Sequence, residues 1–192
     1  NGQTSRNQGT LSEAASSMNV GQNDNIQWMS AAETYFLLAE AKLRLNLGDK
    51  TVQEYYEEGV KISFSSKGAT GVDTYLADNV NVPATSFIDP TTGRSTDVSR
   101  MVSTLTVKWD DSASESEKLE RIMVQKWIAL FPDGQEAWSE MRRTGYPGIV
   151  TIANNKSGGE VASGELISRL KFPTTEYSDN SENTQAAVSL LQ

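Results

Sequence analysis

An all-α fold with little β structure is the architecture this sequence predicts, and three observations carry it. Ser/Thr-x-x-Glu capping boxes at Ser30/Glu33, Thr51/Glu54 and Ser114/Glu117 each open a run with apolar residues at helical spacing. The turn between the first two runs is so short that their helices must lie antiparallel, as in a tetratricopeptide-type hairpin. Alternating, strand-like patterning is confined to short stretches around residues 105–109 and 166–173.

The first helix is AAETYFLLAEAKLRLNLG. Ala32, Tyr35, Phe36, Ala39 and Leu43 mark its apolar stripe, and Leu38, Ala41 and Leu45 widen it until most sides are apolar, the pattern of a helix buried in a larger body. Leu47-Gly48 supplies the stop, glycine adopting the left-handed conformation past a helix end without strain. The second helix presents Val52, Tyr55, Tyr56 and Ile62, with Gly59 allowing another helix to approach closely. Residues 72–79 form a short helix carrying Tyr75 and Leu76, and residues 80–100 read as loop. Residues 99–109 read as a short helix turning extended at 105–109. Next comes EKLERIMVQKWIALF, with Leu119, Ile122, Met123, Trp127 and Leu130 on its buried side and Glu117–Arg121 as an i,i+4 pair. Pro132 ends it, and Asp133 with Glu136 starts GQEAWSEMRRT, stopped at Gly145-Tyr146-Pro147. Residues 148–165 are loop, 166–173 a short extended segment, and 183–191 a final weak helix. Residues 1–27 carry too few bulky apolar side chains to offset about 1–2 kcal/mol of backbone entropy per residue and read as a polar, flexible lead-in, leaving 28–192 as the folded domain.

Composition excludes several functions. The 192 residues contain no His and no Cys, which removes Ser-His-Asp and Cys-His nucleophiles, thiol redox pairs and ordinary zinc sites. With 25 Asp+Glu against 17 Lys+Arg, the net charge is −8 and no basic cluster exists to displace counterions from nucleic acid. No stretch approaches the roughly 20 apolar residues of a membrane-spanning helix. The start has neither the basic nor the apolar region of a secretory signal and no Met, so the chain reads as mature, trimmed or a fragment. The absence of Cys chooses no compartment.

Candidate chemistry is weighed residue by residue. Trp28, Trp109, Trp127 and Trp138 are by type flat platforms on which a ligand could stack, yet each lies in or beside an apolar run and fits core packing better. Tyr75, Phe87, Asp78 and Asn81, with Asp73 and Asn79 nearby, flank the long loop and are the candidate ligand contacts. Asp110-Asp111 and Glu57-Glu58 are adjacent pairs whose side chains point apart, unlike the opposed carboxylates of a glycosidase, and read as solvated charge. Asp179, Asn180, Glu182 and Asn183 offer hard oxygens for calcium but lack loop-type ligand spacing, so turn and capping roles are expected. Gly158-Gly159 has none of the surroundings of a phosphate loop. No cofactor or metal is called for. Arg142 and Arg143 occupy a helix C-terminus, where the dipole favours cations, with Trp138 placed to underlie Arg142 and Glu140 to pair with Arg143.

QKWIALFPDGQEAWSEMRRTGYP, with the earlier SAAETYFLLAEAKLRLNLGD and YYEEGVKIS and the later RLKFPTTEYSDN, resembles the carboxy-terminal half of a SusD/RagB-like protein. Three motifs of a SusD-like subgroup stand in order: Met-Ser-x-Ala-Glu (Met29 to Glu33), Ala-Glu-Ala (Ala39 to Ala41) and Arg-Arg-Thr-Gly-Tyr-Pro (Arg142 to Pro147). The resemblance runs from about residue 28 to 180. It implies a SusD-like helical fold with tetratricopeptide units, in an outward-facing outer-membrane lipoprotein of Bacteroidota. It further implies a non-catalytic protein that captures a glycan or peptide and delivers it to a SusC-like TonB-dependent transporter. Family members are longer and begin with a lipid-bearing Cys, so this chain is expected to be a fragment, with membrane association only through a lipid anchor that it lacks. Two other readings remain beside it: a scaffold whose hairpin docks a partner peptide, and a carbohydrate hydrolase.

Overall fold

The computed structural model describes residues 29–88, 95–97, 103–148, 157–159, 161–162 and 170–191. The lead-in, Trp28, residues 98–102 and most of 148–169 lie outside them, as do the expectations placed there. The chain divides into two compact units, Asn1–Val150 and Thr151–Gln192.

In the first unit, α1 (Ala31–Leu45) and α2 (Val52–Ser66) form the antiparallel hairpin. They are followed by the one-turn α3 (Val72–Leu76), β1 (Ser86–Ile88) and β2 (Ser95–Asp97), α4 (Glu115–Leu130) and α5 (Gly134–Thr144). The strands pair antiparallel, Phe87 opposite Thr96, so part of the expected 80–100 loop is a small β-ladder. Residues 103–109 carry neither helix nor strand. The second unit holds α6 (Thr174–Asp179), which the sequence reading missed, and α7 (Ser181–Leu190), tied by a bond from Thr184 Oγ1 to the Glu176 carbonyl. Among the described residues no helix is long and apolar enough to cross a membrane.

The core of the first unit is aromatic. Phe36 meets Tyr56 edge-on at 6.3 Å between centroids, and Tyr56 continues to Trp109 at 5.2 Å. Ala32, Ala39, Val60, Ile122 and Met123 close around them. Gly59 is what lets α2 approach α1: a Cβ there would lie 2.8 Å from the Phe36 ring. The apolar girdle expected around α1 is only partly used, since Leu45 remains exposed.

Two capping boxes form as expected, at Thr51/Glu54 and Ser114/Glu117. The third does not. Ser30 accepts from the Ala32 amide, and Glu33 turns instead to Lys126 on α4. The α1 stop also sits earlier than expected, on Asn46 at φ 54°, while Gly48 (φ 97°) lets the turn fold under Tyr55. Tyr55 Oη organises that turn, donating to Asp49 Oδ1 and accepting from the Asp49 and Lys50 amides.

The three sequence motifs converge on one seam between α1, α4 and α5. Lys126, 1% exposed, places Nζ 3.1 Å from Glu140 Oε2 and 3.7 Å from Glu33 Oε1, as ion pairs lying off the hydrogen-bonding direction. Arg143 forks onto Glu40, Nη1 to Oε1 at 2.7 Å and Nη2 to Oε2, and Nη2 also reaches Glu140 at 2.7 Å. Arg44 adds a bond to Glu40 at 3.2 Å. Around Gly145 (φ 77°), Thr144 Oγ1 donates to the Glu140 carbonyl and accepts from the Tyr146 amide. The Arg142–Trp138 stack is not formed; the cation over a ring among the described residues is Lys50 above Tyr35.

Candidate functional site

Residues 103–109 have no ladder of their own, so their backbone is held by neighbours. Arg121 Nε donates to the Thr106 carbonyl at 3.0 Å, and Tyr56 Oη to the Val107 carbonyl at 2.7 Å. The Lys108 amide donates to the Asp78 carbonyl at 3.0 Å. Between this segment, the end of α3 and one stripe of α4 lies a cleft of about 230 Å³. Arg121, Val124, Gln125 and Ile128 line it at i, i+3, i+4 and i+7, a single helical face. Leu105, Val107, Val82 and Pro83 make the opposing walls apolar, with Tyr75, Asp78, Asn81 and Ser103 as polar groups. Apolar walls with a few placed polar groups are the usual make-up of a small-molecule site.

Three of the four residues singled out in the sequence therefore line one cavity. Tyr75, packed on Phe64 with centroids 5.1 Å apart, shares its hydroxyl with the Gln125 amide at 3.0–3.1 Å. Asp78 is occupied by its own turn: Oδ1 accepts from the Val80 and Asn81 amides, and Oδ2 from Asn81 Nδ2 at 2.8 Å. Those N–H donors, the Asn81 amide foremost, hold its carboxyl below the usual range. Asn81 Nδ2 is spent on Asp78, leaving its carbonyl oxygen for other partners. Phe87 lies in β1, and its side chain is outside the described residues.

Sequence reasoning missed Gln125 and Arg121. The spacing of 121, 124, 125 and 128 was visible, but which α4 stripe faces a cavity depends on residues 78–83 and 103–107. Arg121 was expected to pair with Glu117. Instead Glu117 closes the Ser114 capping box, and Arg121 turns to the Thr106 carbonyl. Its Nη1 is shielded from water and has no hydrogen-bond partner.

The other candidates have structural work. Trp109 is 7% exposed and donates Nε1 to Asp111 Oδ1 at 2.8 Å, while Asp110 accepts from the Ser112 amide and hydroxyl. Trp127 and Trp138, expected in the core, are 39% and 38% exposed, because α4 and α5 turn Ile122, Met123, Ala137 and Met141 inward. Glu57 accepts from Gln53 and Glu58 lies 4.0 Å from Lys61, so the two point to separate partners. Asn180 Oδ1 accepts from Asn183, and Asp179 accepts from Ser178 at the junction of α6 and α7. Among the described residues no group of three or more acidic side chains is arranged to hold a metal ion.

Comparison with known proteins gives these features a context. A family model described as Susd and RagB outer membrane lipoprotein matches residues 1–192. Among solved structures, the chain is 42% identical to a chitin-binding SusD homologue from Flavobacterium johnsoniae, with TM-score 0.72. The match covers 85% of this chain and 33% of that one. A SusD homologue from Bacteroides uniformis is 43% identical with TM-score 0.77, covering 89% and 35%. One from Bacteroides thetaiotaomicron is 38% identical with TM-score 0.74, covering 90% and 35%. The chain thus spans about a third of the length of these relatives. No curated protein matches.

Proposed function

Because this chain belongs to the SusD/RagB family of outer-membrane lipoproteins, we propose that it forms part of a non-catalytic surface protein that captures a glycan and passes it to a SusC-like TonB-dependent transporter. Membership gives the outer-membrane location and the helical, tetratricopeptide-containing fold. The observation that carries glycan capture is the chitin-binding relative, 42% identical over 85% of this chain. The cleft supports it chemically. The Gln125 amide, the Tyr75 hydroxyl and the Asn81 carbonyl supply donors and acceptors for sugar hydroxyls, and Leu105, Val107 and Ile128 face sugar C–H groups. The carboxylate pairs that a hydrolase would need are committed elsewhere: Asp110 and Asp111 to Ser112 and Trp109, Glu57 to Gln53.

Calorimetric titration against a glycan panel that includes chitin oligosaccharides tests this reading. Tyr75→Ala and Asn81→Ala are expected to weaken binding about tenfold, as lost hydrogen bonds and contact area predict. Unchanged affinity in both variants would move the site away from the cleft, and failure to bind any glycan would overturn capture.

A further inference from the structure

Arg121 and Lys126 lie on the same helix, and both are at least nine-tenths buried. Lys126 has two carboxylates within ion-pair distance. Among the described residues Arg121 has none within that distance, and the one hydrogen bond it makes to them is from Nε to the Thr106 carbonyl. A buried cation without a counter-charge is costly, and such groups are usually paired. Asp110 and Glu117 attract Arg121 through space, but neither comes within ion-pair distance: both are exposed, Glu117 held by Ser114 and Asp110 by Ser112. Asp78, on the cleft, is already satisfied by three N–H donors and partly exposed, so water screens its charge more than the apolar walls screen that of Arg121. The net charge of −8 is largely screened beyond the Debye length of about 8 Å at physiological salt, so the groups lining the cleft weigh more than the distant surface charges.

We propose that the cleft receives a carboxylate-bearing sugar residue, a uronic acid, of an acidic glycan, with Arg121 providing the counter-charge. This rests on the glycan-capture reading and names the class of sugar. The volume of about 230 Å³ is below the roughly 300–1,000 Å³ of drug-sized sites, which fits one sugar unit of a longer chain. The carboxylate lies at the Arg121 end, and Gln125, Ser103 and Asn81 meet the ring hydroxyls.

The test compares methyl glycosides of galacturonic and glucuronic acid with the matching neutral galactoside and glucoside, by ligand-observed NMR titration of the full chain. Charge-assisted bonds predict at least one acidic sugar bound about tenfold more tightly than its neutral partner. Arg121→Gln, which keeps a donor for the Thr106 carbonyl, removes that preference, and Arg121→Lys retains part of it. Val82→Trp, which fills the cleft and leaves Arg121 in the chain, abolishes binding of the acidic sugar and keeps the proposal testable if the Arg121 variants unfold. Equal binding of acidic and neutral sugars, or an acidic preference that survives Arg121→Gln or Val82→Trp, overturns the proposal and leaves glycan capture standing. Binding of none of the four, with a carboxylate-bearing peptide bound instead, overturns both.

Discussion

The seam between α1, α4 and α5 and the cleft beside residues 103–107 are built on the same helix with the same kind of buried cation, and they treat it in opposite ways. In the seam, Glu33, Glu40 and Glu140 face Lys126, Arg143 and Arg44, so each charge taken from water meets another. In the cleft, Arg121 bonds a backbone carbonyl, and among the described residues no carboxylate lies within ion-pair distance of it; Asp110 and Glu117 act only from further away. A charge-paired network of this kind holds three helices in one arrangement. An unsatisfied charge at a cavity is the feature that can still gain from binding. Adjacent residues of the Gln-Lys pair belong to the two regions: Gln125 bonds Tyr75 in the cleft, and Lys126 joins the seam.

The largest effect that would sharpen this contrast is Lys126→Met. It leaves Glu33 without its cation, while Glu140 keeps Arg143, and is expected to cost about 3–5 kcal/mol in denaturant unfolding. A loss below about 1 kcal/mol would mean the network contributes little.

Acid titration reads the same seam more gently. The Arg143 fork holds the Glu40 carboxyl below its usual value of 4.5. Burial pushes Glu140 up, but bonds from Arg143 and the charge of Lys126 outweigh it, so Glu140 also ends below 4.5. A carboxylate depressed in the folded state stabilises above its unfolded pKa, and that stability disappears as pH falls through the folded value. Glu33 is raised, mainly by burial, so its protonation in acid relieves a penalty and partly offsets the loss. Unfolding free energy should therefore fall between about pH 5 and 3, with a shallower slope in Arg143→Gln. An unchanged slope in that variant would separate the acid response from the fork.

Arg121→Met should cost less than Lys126→Met, about 1 kcal/mol, because the lost bond to Thr106 is offset by removing an uncompensated buried charge. Equal costs for the two variants would break the comparison. The smallest effect expected is Tyr75→Phe, about 0.5–1 kcal/mol, from the single shared bond to Gln125. Thermal unfolding of both variants measures it.

Much of the fold was legible because it is written at short range. The boxes at Thr51/Glu54 and Ser114/Glu117 form where the spacing put them, since N-cap and N3 lie within one turn. Tyr75, Asp78 and Asn81, which the sequence singles out by their position beside a loop, line one cavity. The misreadings share a cause. Glu33 leaves its cap for Lys126, 93 positions away, and Arg121 leaves Glu117 for Thr106. In each case a side chain with a local partner in the sequence found a distant one that burial made more favourable.

What the sequence determined by itself was the helical class, the hairpin, most helix ends and the family, through capping, apolar period and ordered motifs. The tertiary structure alone decided that Glu40 and Arg143, 103 residues apart, share a fork, that Trp127 and Trp138 lie outward, and that Arg121 sits beside a cavity with no carboxylate of the described residues within ion-pair distance. The reason is physical: local spacing fixes which groups can meet within a turn, whereas which charges are taken from water, and against what, depends on how distant helices close around them.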